Sequence, residues 1–291
     1  PVVMTFDPHP RAVLTPERAP SLLTVREQQI HLLETAGAAG VVVTPFTREF
    51  AALSPEAFLR DHLLVEGVRL RGICVGADWC FGAHGAGDVS TLQQAGLEHG
   101  FDVVSVTERL WYGKPVSSTR IRTALAEGRL DAARRMLGRP YSVWGDVTSG
   151  RGMGGGTFDC PTANLSLPGV MLPPRGVYAA LARIDPECAG AGDAPSCDAA
   201  VYIGSAPTVT DGAETASPVL ECHLFDVEDN LYGRVLEVVF IGYLRADRRF
   251  ATVAALREQI HLDIRRLRTI LADYRKQQAA TQGRERRDRQ W

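Results

Sequence analysis

The segment richest in chemically useful residues is Gly150-Arg151-Gly152-Met153-Gly154-Gly155-Gly156, followed shortly by Pro161-Thr162-Ala163-Asn164. Glycines such as Gly150, Gly152 and Gly154 let backbone N–H groups curl around phosphate oxygens. The Thr162 hydroxyl and the Asn164 carbonyl, two residues apart, can both reach a hard cation such as Mg2+. The pattern fits a phosphate-and-metal site, the alternative being a flexible loop that enters a strand. A second candidate is Glu221, whose carboxylate lies in the apolar run Val219-Leu220-Glu221-Cys222-His223-Leu224-Phe225. A carboxylate there needs a partner or a task, such as accepting a proton; otherwise it is the solvent-facing member of an alternating strand. A third is Ser117-Ser118-Thr119-Arg120-Ile121-Arg122. Hydroxyls, free N–H groups and arginines at a helix N-terminus favour a triphosphate, unless this is only a well-capped helix with surface arginines.

The elements that must hold these residues differ between the two halves of the chain. In the first, short β-branched runs at Val2 to Phe6, Val41 to Thr44, Arg71 to Val75 and Val103 to Val106 alternate with amphipathic segments. That alternation predicts a parallel sheet with crossover helices. One helix is expected after Ser54, where Ser-Pro-Glu supplies an N-cap, a proline at the first helical position and an acid in the first turn. Another is expected from Thr119 to Leu137, closed by Gly138 with Pro140 beyond, and the first domain should end there, at residue 137. The second half carries short strand-like runs at Tyr141 to Thr148, Gly176 to Ile184, Ala199 to Ile203, Val219 to Phe225 and Val235 to Tyr243. Their even spacing predicts an antiparallel barrel or sandwich. Asp185 to Asp198 reads as a hairpin-tip insertion, Val253 to Lys276 as an amphipathic helix, and residues 277–291 as a charged tail.

Bulk properties exclude several classes of function. A net charge of −2 and a pI near 6.4 supply no field for a nucleic-acid backbone or an anionic membrane, and no apolar stretch approaches the roughly 20 residues that a membrane helix requires. The six cysteines show no zinc or redox spacing and read as reduced cytoplasmic thiols, although a bridge between Cys188 and Cys197 is conceivable. The expected partners are small molecules, with no nucleic acid and no membrane, and composition leaves a homo-oligomer open. The chain opens on Pro1 and runs at once into a strand-like segment, so a truncated N-terminus is expected and secretion is not.

Taken in order, the motifs resemble those of bacterial bifunctional riboflavin kinase/FAD synthetases over nearly the whole chain. The kinase-like half runs from Gly138-Arg139-Pro140-Tyr141 through the glycine-rich loop, Pro161-Thr162-Ala163-Asn164 and Gly176-Val177-Tyr178-Ala179. It continues through Ile203-Gly204 with Pro207-Thr208, Glu221 to Asp226, Leu231-Tyr232-Gly233 and Leu244-Arg245 with Phe250. Ahead of it, Thr5-Phe6-Asp7-Pro8-His9-Pro10, Pro45-Phe46-Thr47, Val75 to Gly82 and Ser117 to Arg122 are similar to the adenylyltransferase half. The resemblance implies a Rossmann-like nucleotidyltransferase domain over residues 1–137 and an antiparallel Greek-key β-barrel kinase domain with a C-terminal helix over 138–276. It implies ATP as co-substrate, Mg2+, and flavin as substrate and product: riboflavin to FMN, then FMN to FAD. Thr162 and Asn164 would hold Mg2+ and the ATP phosphates, and Glu221 would be the general base for the ribityl 5′-hydroxyl. Ser117, Ser118, Thr119 and Arg122 would bind ATP in the first domain, while Asp78, Phe81, Gly82 and, less directly, His9 would border the adenine and flavin nucleotide.

The chain also departs from that pattern. The family's opening Gly-x-Phe-Asp-x-x-His-x-Gly-His loop has no counterpart here, which bears on FAD synthesis. Phe158-Asp159-Cys160 replaces a Leu-Gly-Phe, and Tyr202 and Ala206 stand where Asn and Arg are usual. Two competing readings follow: a kinase-only enzyme with a remnant front domain, and a flavin-binding or regulatory protein without catalysis.

Overall fold

The computed structural model describes residues 1–148, 162–188, 196–205, 218–227 and 229–288. These pack into two compact units: Pro1–Pro20 with Ala38–Val116, and Ser21–Gly37 with Ser117–Trp291.

In the first unit, strand β1 (Val2–Asp7) runs parallel to β2 (Gly40–Pro45), and β3 (Gly72–Gly76) runs parallel to β4 (Asp102–Val106). The parallel sense expected from the alternating pattern is present, but as two separate two-stranded sheets, and a short antiparallel pair of β5 (Leu110–Trp111) and β6 (Lys114–Pro115) follows. Helix α1 (Pro10–Leu14) follows β1, α3 (Arg48–Ala51) and α4 (Pro55–Phe58) follow β2, and α5 (Val89–His99) lies between β3 and β4. Ser54 caps α4 as its sequence context predicts, accepting from the Ala57 N–H. Helix α5 starts at a capping box between Asp88 and Thr91 and stops at Gly100, whose φ of 74° a side chain would resist. Phe58, Leu59, Phe81, Leu92, Ala95 and Phe101 form the core.

The second unit is built on a closed barrel of β7 (Ser142–Thr148), β8 (Ala163–Ser166), β9 (Gly176–Ile184), β10 (Cys197–Ser205), β11 (Pro218–Leu224) and β12 (Val235–Arg245). The order around it is β10-β11-β8-β7-β12-β9, with every pairing antiparallel. Strand β8 carries no long β-branched run and was not among the strands expected from pattern; only its register makes it visible. Period-two alternation sends Val143, Leu165, Tyr178, Val201, Leu220, Cys222 and Val238 inward, all nearly inaccessible to solvent. The opposite face of β9, carrying Val177, Ala179 and Leu181, is covered by Leu267 and Leu271 of the C-terminal helix α8 (Val253–Asp288). Helix α8 continues well past Lys276, so most of the expected charged tail is helical.

One further expectation is corrected. The single helix from Thr119 to Leu137 is two, α6 (Ser118–Ala126) and α7 (Leu130–Leu137). Between them Gly128 takes a φ of 69° beside Pro174, a conformation that ends α6 as a helix C-terminal glycine does. The compact units also divide the chain elsewhere than at residue 137. Helix α2 (Arg26–Thr35), early in the sequence, packs on the barrel, where the buried Gln28 side chain donates to the Ser142 carbonyl at 3.1 Å and to its hydroxyl at 2.9 Å. The Leu22 N–H donates to the Gly169 carbonyl, and the Met171 N–H donates back to Leu22. His31 on α2 lies against Trp144 of β7 with ring centroids 5.3 Å apart.

Candidate active site

Asn164 on β8 pairs directly with Glu221 on β11, and Glu221 pairs in turn with Tyr202 on β10. On the other side Asn164 pairs with Thr148 at the end of β7, whose hydroxyl donates to the Asn164 carbonyl at 3.3 Å. Directly opposite residues of an antiparallel pair project to the same face. The neighbours Ala163, Leu165, Leu220 and Cys222 are buried in the barrel, so the row Thr148–Asn164–Glu221–Tyr202 lies on the outer face. Thr162 stands two residues before Asn164, where the chain enters β8. Two oxygen-bearing side chains and a carboxylate from distant parts of the sequence are therefore gathered on one stretch of barrel wall.

The electrostatics of this row suit proton acceptance. Glu221 is half-buried, and loss of solvation pushes its carboxyl above the ordinary glutamate value of 4.5. Tyr202 is pushed up to about 12, first by burial and then by the nearby Asp247 carboxylate. Farther along, Tyr202 pairs with Val177, and Val177 with Arg245 at the end of β12. Arg245 donates through Nε and Nη2 to Asp263 Oδ2 at 2.9 and 2.7 Å, while the Gln259 amide donates to Asp263 Oδ1 at 2.7 Å. Asp263 was missed in the sequence. Its signal was a carboxylate on the apolar side of α8, one turn from Ile260 and Leu267. Gly150, Gly152 and Gly154, like Asp159, Pro161 and Ala206, lie outside the described residues.

The residues anticipated for a second nucleotide site fall in different units. Ser117 caps α6, accepting from the Arg120 N–H at 3.3 Å, with Ser118 and Thr119 in the first turn. Arg122 donates through Nε to the Ser21 carbonyl at 2.6 Å, which gives it a structural duty in the barrel unit. In the first unit His9 caps α1, its Nδ1 accepting from the Arg11 N–H at 3.1 Å, and Asp78 is exposed after β3. Phe81 is a core side chain stacked on Trp79 with centroids 4.8 Å apart, so its ring forms no open wall. Gly82 has a φ of 73°, and a Cβ there would lie 2.8 Å from Pro55. Gly82→Ala should therefore destabilise the first unit by about 1–3 kcal/mol, read as a lowered thermal midpoint in the intact chain; an unchanged midpoint would count against the observed packing.

Comparison with known proteins now decides the family. The family model for riboflavin kinase matches residues 137–271 and that for FAD synthetase residues 1–120. The bifunctional riboflavin kinase/FMN adenylyltransferase of Escherichia coli K12 is 38% identical over 90% of this chain and 80% of its own length. This chain belongs to that bifunctional family. Its counterpart from Pseudomonas fluorescens is 36% identical over 93% of this chain and 82% of its own length, and that from Bacillus subtilis 32% identical over 90% and 79%. A crystal structure of a macrolide-efflux protein from Streptococcus pneumoniae matches with a TM-score of 0.74 at 26% identity, over 92% of this chain and 83% of that one. Among the described residues of this family member, no helix is long and apolar enough to cross a membrane.

Proposed function

We propose that the barrel unit transfers the γ-phosphoryl group of ATP to the ribityl 5′-hydroxyl of riboflavin, giving FMN and ADP. The front module would adenylylate FMN to FAD with release of pyrophosphate. The observation that carries the first reaction is the register pairing of Glu221 with Asn164 on one face of the barrel. As the ribityl oxygen bonds to the γ-phosphorus and the bond to the β–γ bridging oxygen breaks, the alcohol proton passes to Glu221. Thr162 and Asn164 orient the phosphates. They also suit Mg2+ because both offer hard oxygens. Magnesium keeps several waters and takes substrate phosphates as ligands, so a hydroxyl and an amide oxygen suffice beside ATP. When bound it would supply charge neutralisation between the phosphates.

The motif-defined modules, residues 1–137 and 138–276 with 277–291 beyond, are supported by the family-model spans. Ser117, Ser118, Thr119 and Arg122 are assigned to ATP in the adenylyl transfer, with His9 and Asp78 toward the flavin nucleotide. A cytoplasmic setting is supported by the substrates and by the free thiols Cys74, Cys80, Cys197 and Cys222.

Incubation with riboflavin, ATP and Mg2+, followed by chromatographic separation of flavins, tests both reactions. FMN is expected. FMN without FAD favours the kinase-only reading, and no FMN from folded protein favours the binding-protein reading. The pH dependence supplies a second test. A base works only when deprotonated, so kcat should rise with pH through an apparent pKa above the ordinary 4.5, the direction in which burial moves Glu221. An acid limb at or below that value would remove Glu221 from the role.

A further inference from the structure

A cavity of about 210 Å³ opens on the wall made by β7, β12 and β9, whereas the row Thr148–Asn164–Glu221–Tyr202 runs across β8, β11 and β10. Its floor follows from register. Glu237 on β12 is the direct partner of Trp144 on β7 and of Arg183 on β9. Val143, Val238 and Ala182 beside them are buried in the barrel, so Trp144, Glu237 and Arg183 project outward together. Helix α2 borders the cavity with His31 and Leu32, α8 with Tyr274, and Leu181 and Val239 add to an apolar lining. Arg139, from the Gly138-Arg139-Pro140-Tyr141 motif that opens the kinase-like half, reaches it from the link between α7 and β7. Its charges do not cancel. Glu237 is taken by Arg183, whose Nη1 donates to its Oε2 at 2.8 Å. Arg139 donates through Nη1 to the Pro140 carbonyl and the Ser142 hydroxyl, each at 3.1 Å and each neutral. Burial draws its pKa below the ordinary 12.5, and the Glu237 carboxylate acts on it only through space. Trp144 Nε1 is buried with no hydrogen-bond partner. One wall thus holds a cation without a counter-ion of its own and a donor without an acceptor, groups that a folded chain normally satisfies.

We propose that this cavity is a binding site for a small planar monocarboxylate, its carboxylate on Arg139 and its ring among Trp144, His31 and Tyr274. The charge count sets the anion. Arg183 and Glu237 neutralise each other, which leaves one positive charge to be matched. A carboxylate carries one negative charge and fits the planar guanidinium fork, whereas a phosphate monoester brings nearly two. The volume sets the body. A cavity of about 150 Å³ holds benzene, and sites for drug-sized ligands begin at roughly 300 Å³, so this one takes one ring or two fused rings and not a whole nucleotide. All the lining residues belong to one compact unit, yet those of α2 fall within the span matched by the FAD synthetase model and those of the barrel within the riboflavin kinase span. An occupant would add to the hold of α2 on the barrel that Gln28 and Ser142 already make.

The test uses the whole chain with benzoate as ligand, benzamide as its uncharged counterpart and inorganic phosphate as an anion without a ring. Binding is read by titration calorimetry and by the thermal midpoint, with FMN formation assayed in parallel. Benzoate should bind and raise the midpoint, while benzamide and phosphate should bind about tenfold or more weakly. Arg139→Gln should weaken benzoate about 10–100-fold, the loss of a charge-assisted hydrogen bond. Glu237→Gln leaves Arg183 unmatched and should tighten it. Leu32→Trp keeps every charge and fills the space; it should abolish benzoate binding while FMN formation continues, and it decides the matter if Arg139→Gln fails to fold. The proposal is overturned if benzoate does not bind the folded chain, if benzamide binds as tightly, if Arg139→Gln or Leu32→Trp binds benzoate unchanged, or if Glu237→Gln weakens it. Competition of benzoate with riboflavin or ATP in the kinase assay would place it in the phosphoryl-transfer site and overturn the proposal equally.

Discussion

Glu221→Gln should phosphorylate riboflavin about 10²–10⁴-fold more slowly than the parent chain while folding at least as well. The reasoning has two independent parts. Phosphoryl transfer asks little of the protein beyond positioning, charge neutralisation and one acceptor for the alcohol proton, so removing the acceptor strikes the chemical step and leaves nucleotide binding in place. The stability part runs the other way. The folded chain holds this carboxyl above its ordinary value by burial, so the stability linked to it is complete at low pH and is lost as pH rises through the raised folded-state value. At neutral pH the carboxylate is a burden on the fold, and a neutral glutamine of the same shape relieves it. A single-turnover assay at neutral pH together with a thermal melt reads both parts. A variant that loses turnover only because it melts early would defeat the assignment, as would one that retains the parent rate.

The second large effect is expected at Asp263. Its side chain is only 6% exposed and accepts from Arg245, itself 20% exposed, while Gln259 holds its other oxygen. Asp263→Ala removes the carboxylate that, among the described residues, compensates a largely buried guanidinium between β12 and α8, leaving it the Ala246 carbonyl and the Phe250 ring. Breaking a buried pair by deleting one partner costs about 3–5 kcal/mol. Urea titration of the intact protein measures the effect. Asp263→Asn, which preserves shape and one hydrogen bond but also lacks the charge, should recover only a small part of the loss; full recovery in that variant would show that charge compensation is not what the pair supplies.

How much of this was legible in the residues can be judged element by element. Glu221 announced itself by being a carboxylate inside an apolar run, and its strand boundaries are close to those expected, because alternation of inward and outward side chains is written directly into β sequences. The caps at Ser54 and Gly138 were readable for a similar reason: a hydroxyl that accepts from the first turn and a glycine that takes a left-handed conformation are local needs met by local residues. The break at Gly128 was equally local and could have been seen, since a glycine between two short helical stretches marks a C-cap.

Other features depend on partners far along the chain. Strand β8 is too short and too mixed to declare itself, and exists because β7 and β11 supply hydrogen bonds on both sides. Helix α2 has a weak apolar face, and its place on the barrel is set by Gln28 meeting Ser142, a contact across more than a hundred residues that no window of sequence contains. Phe81 and Gly82 looked like members of a ligand wall, but the fold uses one as core and the other as the bare point against Pro55. The sequence by itself therefore determined which residues could do chemistry, where the strands and helix ends lie, and the family. Tertiary structure alone decided that Asn164, Glu221 and Tyr202 stand side by side, because barrel closure and register are choices among long-range pairings, made by the summed burial of the whole core rather than by any local signal.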